Sequence, residues 1–207
     1  VSPLNTYGAT KLLMEKLFVS ANNYLNRDKY QTKFHAVRYG NVLGSSGSVI
    51  PKFIDLIKND KPITITDSNM TRFTITMNEA LDFILNAAKT GQGSEIFIPK
   101  LKSYEMSTLV ETLIELFGEI KQEITGIRPG EKLHETLINY DEIRYTWNVN
   151  GMYMLSNPHH KLFNDNELTE LYDGITKVKN LDSYSSDVAE KITKEELKNK
   201  IQESNLL

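Results

Sequence analysis

Apolar side chains recur every fourth residue early in the chain, at Leu13, Leu17, Ala21 and Leu25, joined by Leu12 and Tyr24. That period marks one face of an α-helix, so residues 6–26 are expected to be helical with a broad apolar face. The run FHAVRYGNV (34–42) then changes to strand-like composition and ends at Gly40-Asn41, where a strand can stop and a turn begin. GSSGS (44–48) reads as a flexible loop. VIPKFIDLIKN (49–59) reads as a short helix with Pro51 in its first turn, where proline is tolerated. ITIT (63–66) and EIFIP (95–99) are strand-like. Between them, Thr76-Met-Asn-Glu79 has capping-box spacing and opens a helix with Ala80, Leu81, Ile84, Leu85 and Ala88 on one side. Residues 106–117 form another amphipathic helix, closed by Gly118. A short helix follows GIRPGEK (126–132), then a strand at GMYML (151–155). The polar stretch 173–193 has weak periodicity and reads as a loosely packed extension. Thr193-Lys-Glu-Glu196 is a second capping box and starts a polar terminal helix. Helices and strands alternate without internal repeats, which makes the class α/β.

Composition narrows the partners. With 207 residues, 40% hydrophobic and 25% charged, the chain can bury the core of one substantial domain or two small ones. A net charge of −3 argues against a protein built mainly to hold nucleic acid. With no cysteine, disulfides and thiolate metal sites are excluded, and an intracellular setting fits. No apolar run reaches the roughly 18–20 residues that cross a bilayer, and no leader-like segment is present. A soluble cytoplasmic protein with no membrane partner is expected.

Several side chains could carry chemistry. Tyr7 and Lys11 stand at i and i+4, on one face of the first predicted helix. A neighbouring ammonium favours phenolate, and a phenolate can take a proton from a substrate hydroxyl. The same spacing also arises as an ordinary surface pair. Asn41, at a predicted strand end, can bond a ligand lying across the sheet, or can simply suit the turn. Ser45, Ser46, Gly47 and Ser48 lead into a helix start at Val49, where backbone N–H groups can meet phosphate, or form a plain loop. Arg72 and Arg128 have guanidinium forks suited to a diphosphate, although single arginines are usually surface residues. Pro129-Gly130 sets a turn beside Arg128, letting Glu131 face a ribose hydroxyl. His134 is expected on a helix, orienting the nearby loop. His159-His160 has no carboxylate at ligand spacing, so no metal is expected.

The stretch SPLNTYGATKLLMEKL, followed by RYGNVLGSSGSVIPKF, resembles the extended short-chain dehydrogenase/reductase family. MTRF (70–73) and GIRPGEKLHE (126–135) narrow the resemblance to its nucleotide-sugar 4,6-dehydratases acting on UDP-N-acetylglucosamine, with the C5-inverting branch closest in wording. The resemblance covers nearly all of residues 1–158; YSSD (184–187) and KEEL (194–197) match that group's tail more loosely. It implies the C-terminal part of an NAD(P)-binding Rossmann-like fold with a smaller substrate-binding domain. Residues 1–45 and 71–98 would be the remainder of the cofactor domain, 46–70 and 99–172 the UDP-sugar domain, and 173–207 a tail.

It also implies that Tyr7 is the catalytic base with Lys11 as helper. The cofactor, NADP or NAD, would be held by Tyr7, Lys11, Tyr39, Gly40 and Val42. The substrate would meet Asn41, Ser46, Gly47, Ser48, Val49, Met70, Arg72, Arg128 and Glu131. The product would be a UDP-4-keto-6-deoxy sugar for bacterial capsule or other surface glycans, made by a homo-oligomer.

The family's G-x-x-G-x-x-G turn is missing, as is the Asp-Lys pair that precedes its tyrosine, and the chain starts on Val1. The expectation is therefore the C-terminal part of a longer enzyme, inactive by itself. Two other readings stay open: a UDP-sugar 4-epimerase of the same superfamily, and a non-catalytic sugar-nucleotide binding fragment.

Overall fold

A computed structural model of the chain describes residues 1–26, 28–157, 165–204 and 206. In chain order its elements are α1 (Thr6–Ala21), β1 (Ala36–Val37), β2 (Asn41–Val42), α2 (Val49–Lys58), β3 (Ile63–Ile65), β4 (Thr71–Ile75), α3 (Met77–Thr90) and β5 (Ile96–Pro99). There follow β6 (Ser103–Glu105), α4 (Met106–Phe117), β7 (Gln122–Ile124), β8 (Thr136–Ile138), α5 (Tyr140–Ile143) and β9 (Thr146–Val149). The last are β10 (Met152–Leu155), α6 (Asp165–Leu171), β11 (Thr176–Lys177), β12 (Tyr184–Ser185) and α7 (Lys194–Glu203). Two compact units share them. The first comprises Val1–Tyr39, Asp82–Lys100 and Thr136–Tyr184, the second Gly40–Leu81, Leu101–Glu135 and Ser185–Leu207.

The first unit is built on a five-stranded sheet of order β1-β5-β10-β9-β11. β1 runs parallel to β5, and the other pairings are antiparallel. All four residues of β5 are buried, as a strand with neighbours on both edges requires of its apolar run. β9 and β10 are joined by Asn150-Gly151, both at positive φ (45° and 77°), the conformation that a two-residue hairpin loop needs. Phe83 and Ala87 pack with Phe97, Trp147, Met154 and Leu168 in the core. The predicted apolar side of α3 is rotated: Leu81 and Leu85 are exposed, while Ala80, Phe83 and Ala87 form the buried stripe. The bulky phenyl group of Phe83 takes the core position.

Helix α1 is where the periodicity misleads most. Its Asn5 cap accepts a hydrogen bond from the Gly8 N–H at 2.8 Å, a sound start. Yet Leu13 and Leu17 are 60% and 62% exposed, and Val19 is the helix's buried residue. The helix also ends at Ala21 rather than residue 26, followed by one 3-10 turn at Asn22–Tyr24. The buried carboxamide of Asn22 accepts from the Phe34 N–H (3.0 Å) and donates to the carbonyls of Phe34 and Val19. Those bonds take up the groups that a further helical turn would have met differently.

The second unit has its own core, in which Ile50, Phe53 and Ile54 of α2 meet Leu109 and Leu113 of α4 and Leu197 and Ile201 of α7. Its sheets are β2-β4-β6 and the parallel pair β3-β7. The expected continuous strand at 34–42 is two short strands, because the chain leaves β1 at Arg38 and joins β4 as β2. Gly40 makes that step: a Cβ there would lie 2.3 Å from Phe73 Cβ, so only glycine permits the close approach. Both predicted capping boxes form. Thr76 N donates to Glu79 Oε2 (2.8 Å) and Glu79 N to Thr76 Oγ1 (3.2 Å), with the same reciprocal bonds between Thr193 and Glu196. Gly118, at φ +86°, closes α4 as expected.

Stretch 173–193 is not loose throughout: Ile175, Tyr184, Ser185, Ser186, Ala189 and Ile192 are buried. Among the described residues no helix is long and apolar enough to cross a membrane.

Candidate functional site

Tyr7 and Lys11 lie on the first two turns of α1, and the structure brings them together. The Lys11 ammonium sits 5.4 Å from the centre of the Tyr7 ring, a cation–π contact. Tyr7 is 72% exposed among the described residues. Tyr39, in the same unit, stacks edge-on against Phe83 at 6.3 Å and keeps part of its ring exposed. A phenol and an ammonium side by side suit the hydroxyls of a ribose, and in that respect these residues fit a nicotinamide dinucleotide. Gly40 and Val42 belong to the second unit. Gly40 is committed to its approach to Phe73, and Val42 pairs with Ile75 in the sheet.

The substrate candidates all lie in the second unit. Asn41 on β2 stands opposite Thr74 on β4. Together with Ser48, Val49 and Tyr104 they line a small open hollow. Ser48 Oγ and Thr74 Oγ1 are buried there without a hydrogen-bond partner among the described residues. Ser46 and Gly47 form the turn before α2, closed by the Ser48 N–H donating to the Ser45 carbonyl at 3.0 Å. Gly47 is at φ +76° with open space around its α-carbon.

Arg72 is held by its surroundings. Its guanidinium donates to the carbonyls of Thr71 (2.7 Å), Leu133 (3.1 Å) and Lys132 (2.9 Å). Glu131 and Glu135 lie at 3.9 and 3.7 Å. These bonds tie β4 to the loop that carries Arg128 and Glu131. Burial pushes the Glu135 carboxyl above its usual range, against the pull of Arg72 and the Phe73 N–H. Met70 is 2% exposed and packs in the core, where its Sδ accepts from the Arg72 guanidinium at 2.8 Å.

Arg128 is exposed at the first position of a turn in which the Glu131 N–H donates to the Arg128 carbonyl at 3.0 Å. Gly130 at φ +80° after Pro129 gives it the signature of a type II turn. Its guanidinium forms no ion pair with any described residue. His134 lies in this loop and not on a helix. Its Nδ1 is 2.8 Å from Thr71 Oγ1, which in turn meets Ser186 Oγ at 2.6 Å. The pair His159-His160 falls outside the described residues. Among the described residues no group of His, Cys, Asp or Glu could hold a metal ion.

The first unit also holds a buried cluster that lies outside the residues singled out above. Arg38, 8% exposed, uses all five of its N–H donors. Nε and Nη2 bond the two carboxylate oxygens of Glu15 (2.6 and 2.8 Å), and Nη1 and Nη2 bond those of Glu142 (2.9 and 2.7 Å). Nη1 also donates to the Leu137 carbonyl at 2.8 Å. Burial opposes charge on Arg38, but the two carboxylates outweigh it and raise its pKa. The Glu142 carboxyl is likewise disfavoured by burial yet held below its usual range by Arg38. An arginine set between apolar strand residues was the available signal, since such a charge is buried only when paired.

Comparisons with known proteins place this architecture. Residues 1–157 match the model of a family described as polysaccharide biosynthesis protein. The UDP-N-acetylglucosamine 4,6-dehydratase (inverting) of Campylobacter jejuni is 43% identical over 190 residues, covering 90% of this chain and 55% of that protein. A UDP-glucose 4-epimerase of Rickettsia felis is 36% identical over 200 residues, covering 96% and 57%. The X-ray structure of Pen from Bacillus thuringiensis superposes with a TM-score of 0.83 at 38% identity, over 100% of this chain and 60% of that one. The chain thus spans about half the length of the curated relatives it matches. Its mixed α/β architecture is the Rossmann-like fold of extended short-chain dehydrogenases/reductases. The chain belongs to the polysaccharide biosynthesis protein family.

Proposed function

We propose that the whole protein removes water from UDP-N-acetylglucosamine, giving a UDP-4-keto-6-deoxy sugar with C5 inverted, for bacterial surface polysaccharide or glycan assembly. NADP or NAD would be its recycled cofactor. The observation that carries this reading is the Tyr7–Lys11 pair, formed and exposed on α1, in a chain 43% identical to an inverting dehydratase.

Tyr7 takes the proton of the sugar's C4 hydroxyl, with Lys11 beside its ring as helper. A bound nicotinamide dinucleotide supplies a store for the C4 hydride and its return to C6. With C4 a ketone, the C5 proton becomes acidic. Loss of that proton sends its electron pair into a C5–C6 double bond, and the C6 hydroxyl leaves as water. Hydride at C6 and a proton at C5, on the opposite face for inversion, complete the product. None of the residues named here is assigned as the acid or base of the dehydration.

Arg128 grips the diphosphate and Glu131 the ribose, their backbones set by the Pro129-Gly130 turn. Arg72, with Met70 below it, holds that loop against β4. Asn41 and the turn Ser46–Gly47–Ser48–Val49 bound the sugar. The fit of Tyr7 and Lys11 to a ribose marks them, with Tyr39, as the residues of the first unit that would hold the dinucleotide.

A second reading, a UDP-sugar 4-epimerase, draws support from the Rickettsia felis relative. Incubating the whole protein with UDP-N-acetylglucosamine and NADP or NAD in deuterated water separates the two. Dehydration gives a 4-keto product lighter by one water and deuterated at C5. A C4 epimer of unchanged composition would establish the epimerase instead.

A further inference from the structure

Helix α1 carries the proposed catalytic pair, and among the described residues few buried contacts hold it where that pair sits. Residues 6–14 include no buried side chain, and Leu13 and Met14 are 60% and 46% exposed. The holdfasts lie further along: Val19 is buried, its carbonyl accepts from Ser94 Oγ at 3.2 Å, and Asn22 bonds Phe34. The anchor nearest the pair is Glu15, one turn beyond Lys11 and two beyond Tyr7. Its side chain is only 12% exposed and is bound on both oxygens by Arg38. Arg38 is itself rigid, since its N–H donates to the Phe97 carbonyl at 2.9 Å and its fork is filled by Glu142 and the Leu137 carbonyl.

We propose that Arg38 is a positioning residue for the Tyr7–Lys11 pair: by holding Glu15 inward it sets the rotation of α1 and keeps that carboxylate away from Lys11. Lys11 and Glu15 are four residues apart, so an unheld Glu15 lies within side-chain reach of the Lys11 ammonium. In the structure the two form no ion pair; Lys11 stays over the Tyr7 ring while Arg38 occupies Glu15. The charged groups packed on the clamp are Glu142 from α5 and Lys16, 3.6 Å from Glu15. A released Glu15 would draw the Lys11 ammonium off the Tyr7 ring by ion pairing. Lysine cannot replace Arg38, because one ammonium cannot satisfy two carboxylates with paired, coplanar bonds.

The inference rests on the proposed role of Tyr7, and its test separates the two. In the whole protein, Arg38→Lys should speed amide exchange at residues 9–14 about tenfold, a readout independent of turnover. The same substitution should lower kcat about 10–100-fold, the scale of a small misplacement at a reacting centre. KM for the sugar nucleotide should stay within about twofold. Adding Glu15→Gln should recover part of the lost kcat while leaving exchange fast, because the competing carboxylate is gone.

An unchanged exchange rate with an unchanged kcat in Arg38→Lys overturns the proposal. So does a fall in kcat matched by an equal loss of folded protein. If instead exchange responds but Tyr7→Phe keeps its turnover, the clamp stands and the role given to Tyr7 fails.

Discussion

Tyr7 stands exposed with Lys11 over its ring, and the role proposed for the phenol can be tested with a single oxygen atom. Tyr7→Phe in the whole protein should abolish hydride transfer, read as loss of nicotinamide absorbance change, while UDP affinity stays nearly constant. Arg128→Ala should weaken UDP binding by roughly 1.5–3 kcal/mol, the scale of a charge-assisted hydrogen bond, measured by calorimetry. Unmoved affinity would return Arg128 to the surface arginines. Both residues were legible in the chain because their local settings are short-range: a helix turn for the first, Pro129-Gly130 for the second. Met70 was not. Its neighbour Arg72 drew attention to the segment, but the burial of a methionine at 2% exposure depends on α4, whose Met106 N–H donates to the Met70 carbonyl from a strand-to-helix junction far along the chain.

Elements announced themselves where their signals were contained within them. The two capping boxes and the glycine stop of α4 form as written, since each involves residues no more than four apart. Thr76→Ala should cost about 1 kcal/mol, seen as earlier fraying of α3 in amide exchange. The β9–β10 hairpin adds a strand before the predicted one at 151–155, and Asn150-Gly151 between apolar runs is its local signal. The apolar faces were read less well. A fourfold repeat tells that a helix is two-sided but not which side its neighbours cover, and in α3 the position of Phe83 settled that.

At α5 the pH dependence has a definite sign. Arg38 holds the Glu142 carboxyl below its ordinary value of 4.5, so its contribution is complete above that pH and fades as pH falls through the lowered value. Glu142→Gln should therefore destabilise the first unit by about 1–2 kcal/mol at neutral pH, with the gap to the parent closing under acid conditions in denaturant titrations.

Across the molecule, two hydrophobic clusters share the chain, one around Phe97, Trp147 and Met154 and one around Phe53, Leu109 and Leu113. Phe97→Ala should cost about 3–5 kcal/mol and Leu113→Ala about 2–5 kcal/mol, each measured as loss of exchange protection in the strands and helices of its own cluster. Neither cluster is contiguous in sequence, and no periodicity within one segment could assign Ile98 and Leu101 to different units. The amino-acid order was sufficient for the α/β class, the caps, the Pro-Gly turn and the resemblance that marked Tyr7, Lys11 and Arg128, because these depend on backbone preferences and neighbours a few residues away. The Arg38 clamp, the commitment of Arg72 to its loop and the burial of 184–186 and 192 emerged only on folding. Each joins segments tens of residues apart, and a buried charge or hydroxyl acquires its partner only when distant carbonyls and carboxylates are brought to hydrogen-bonding distance.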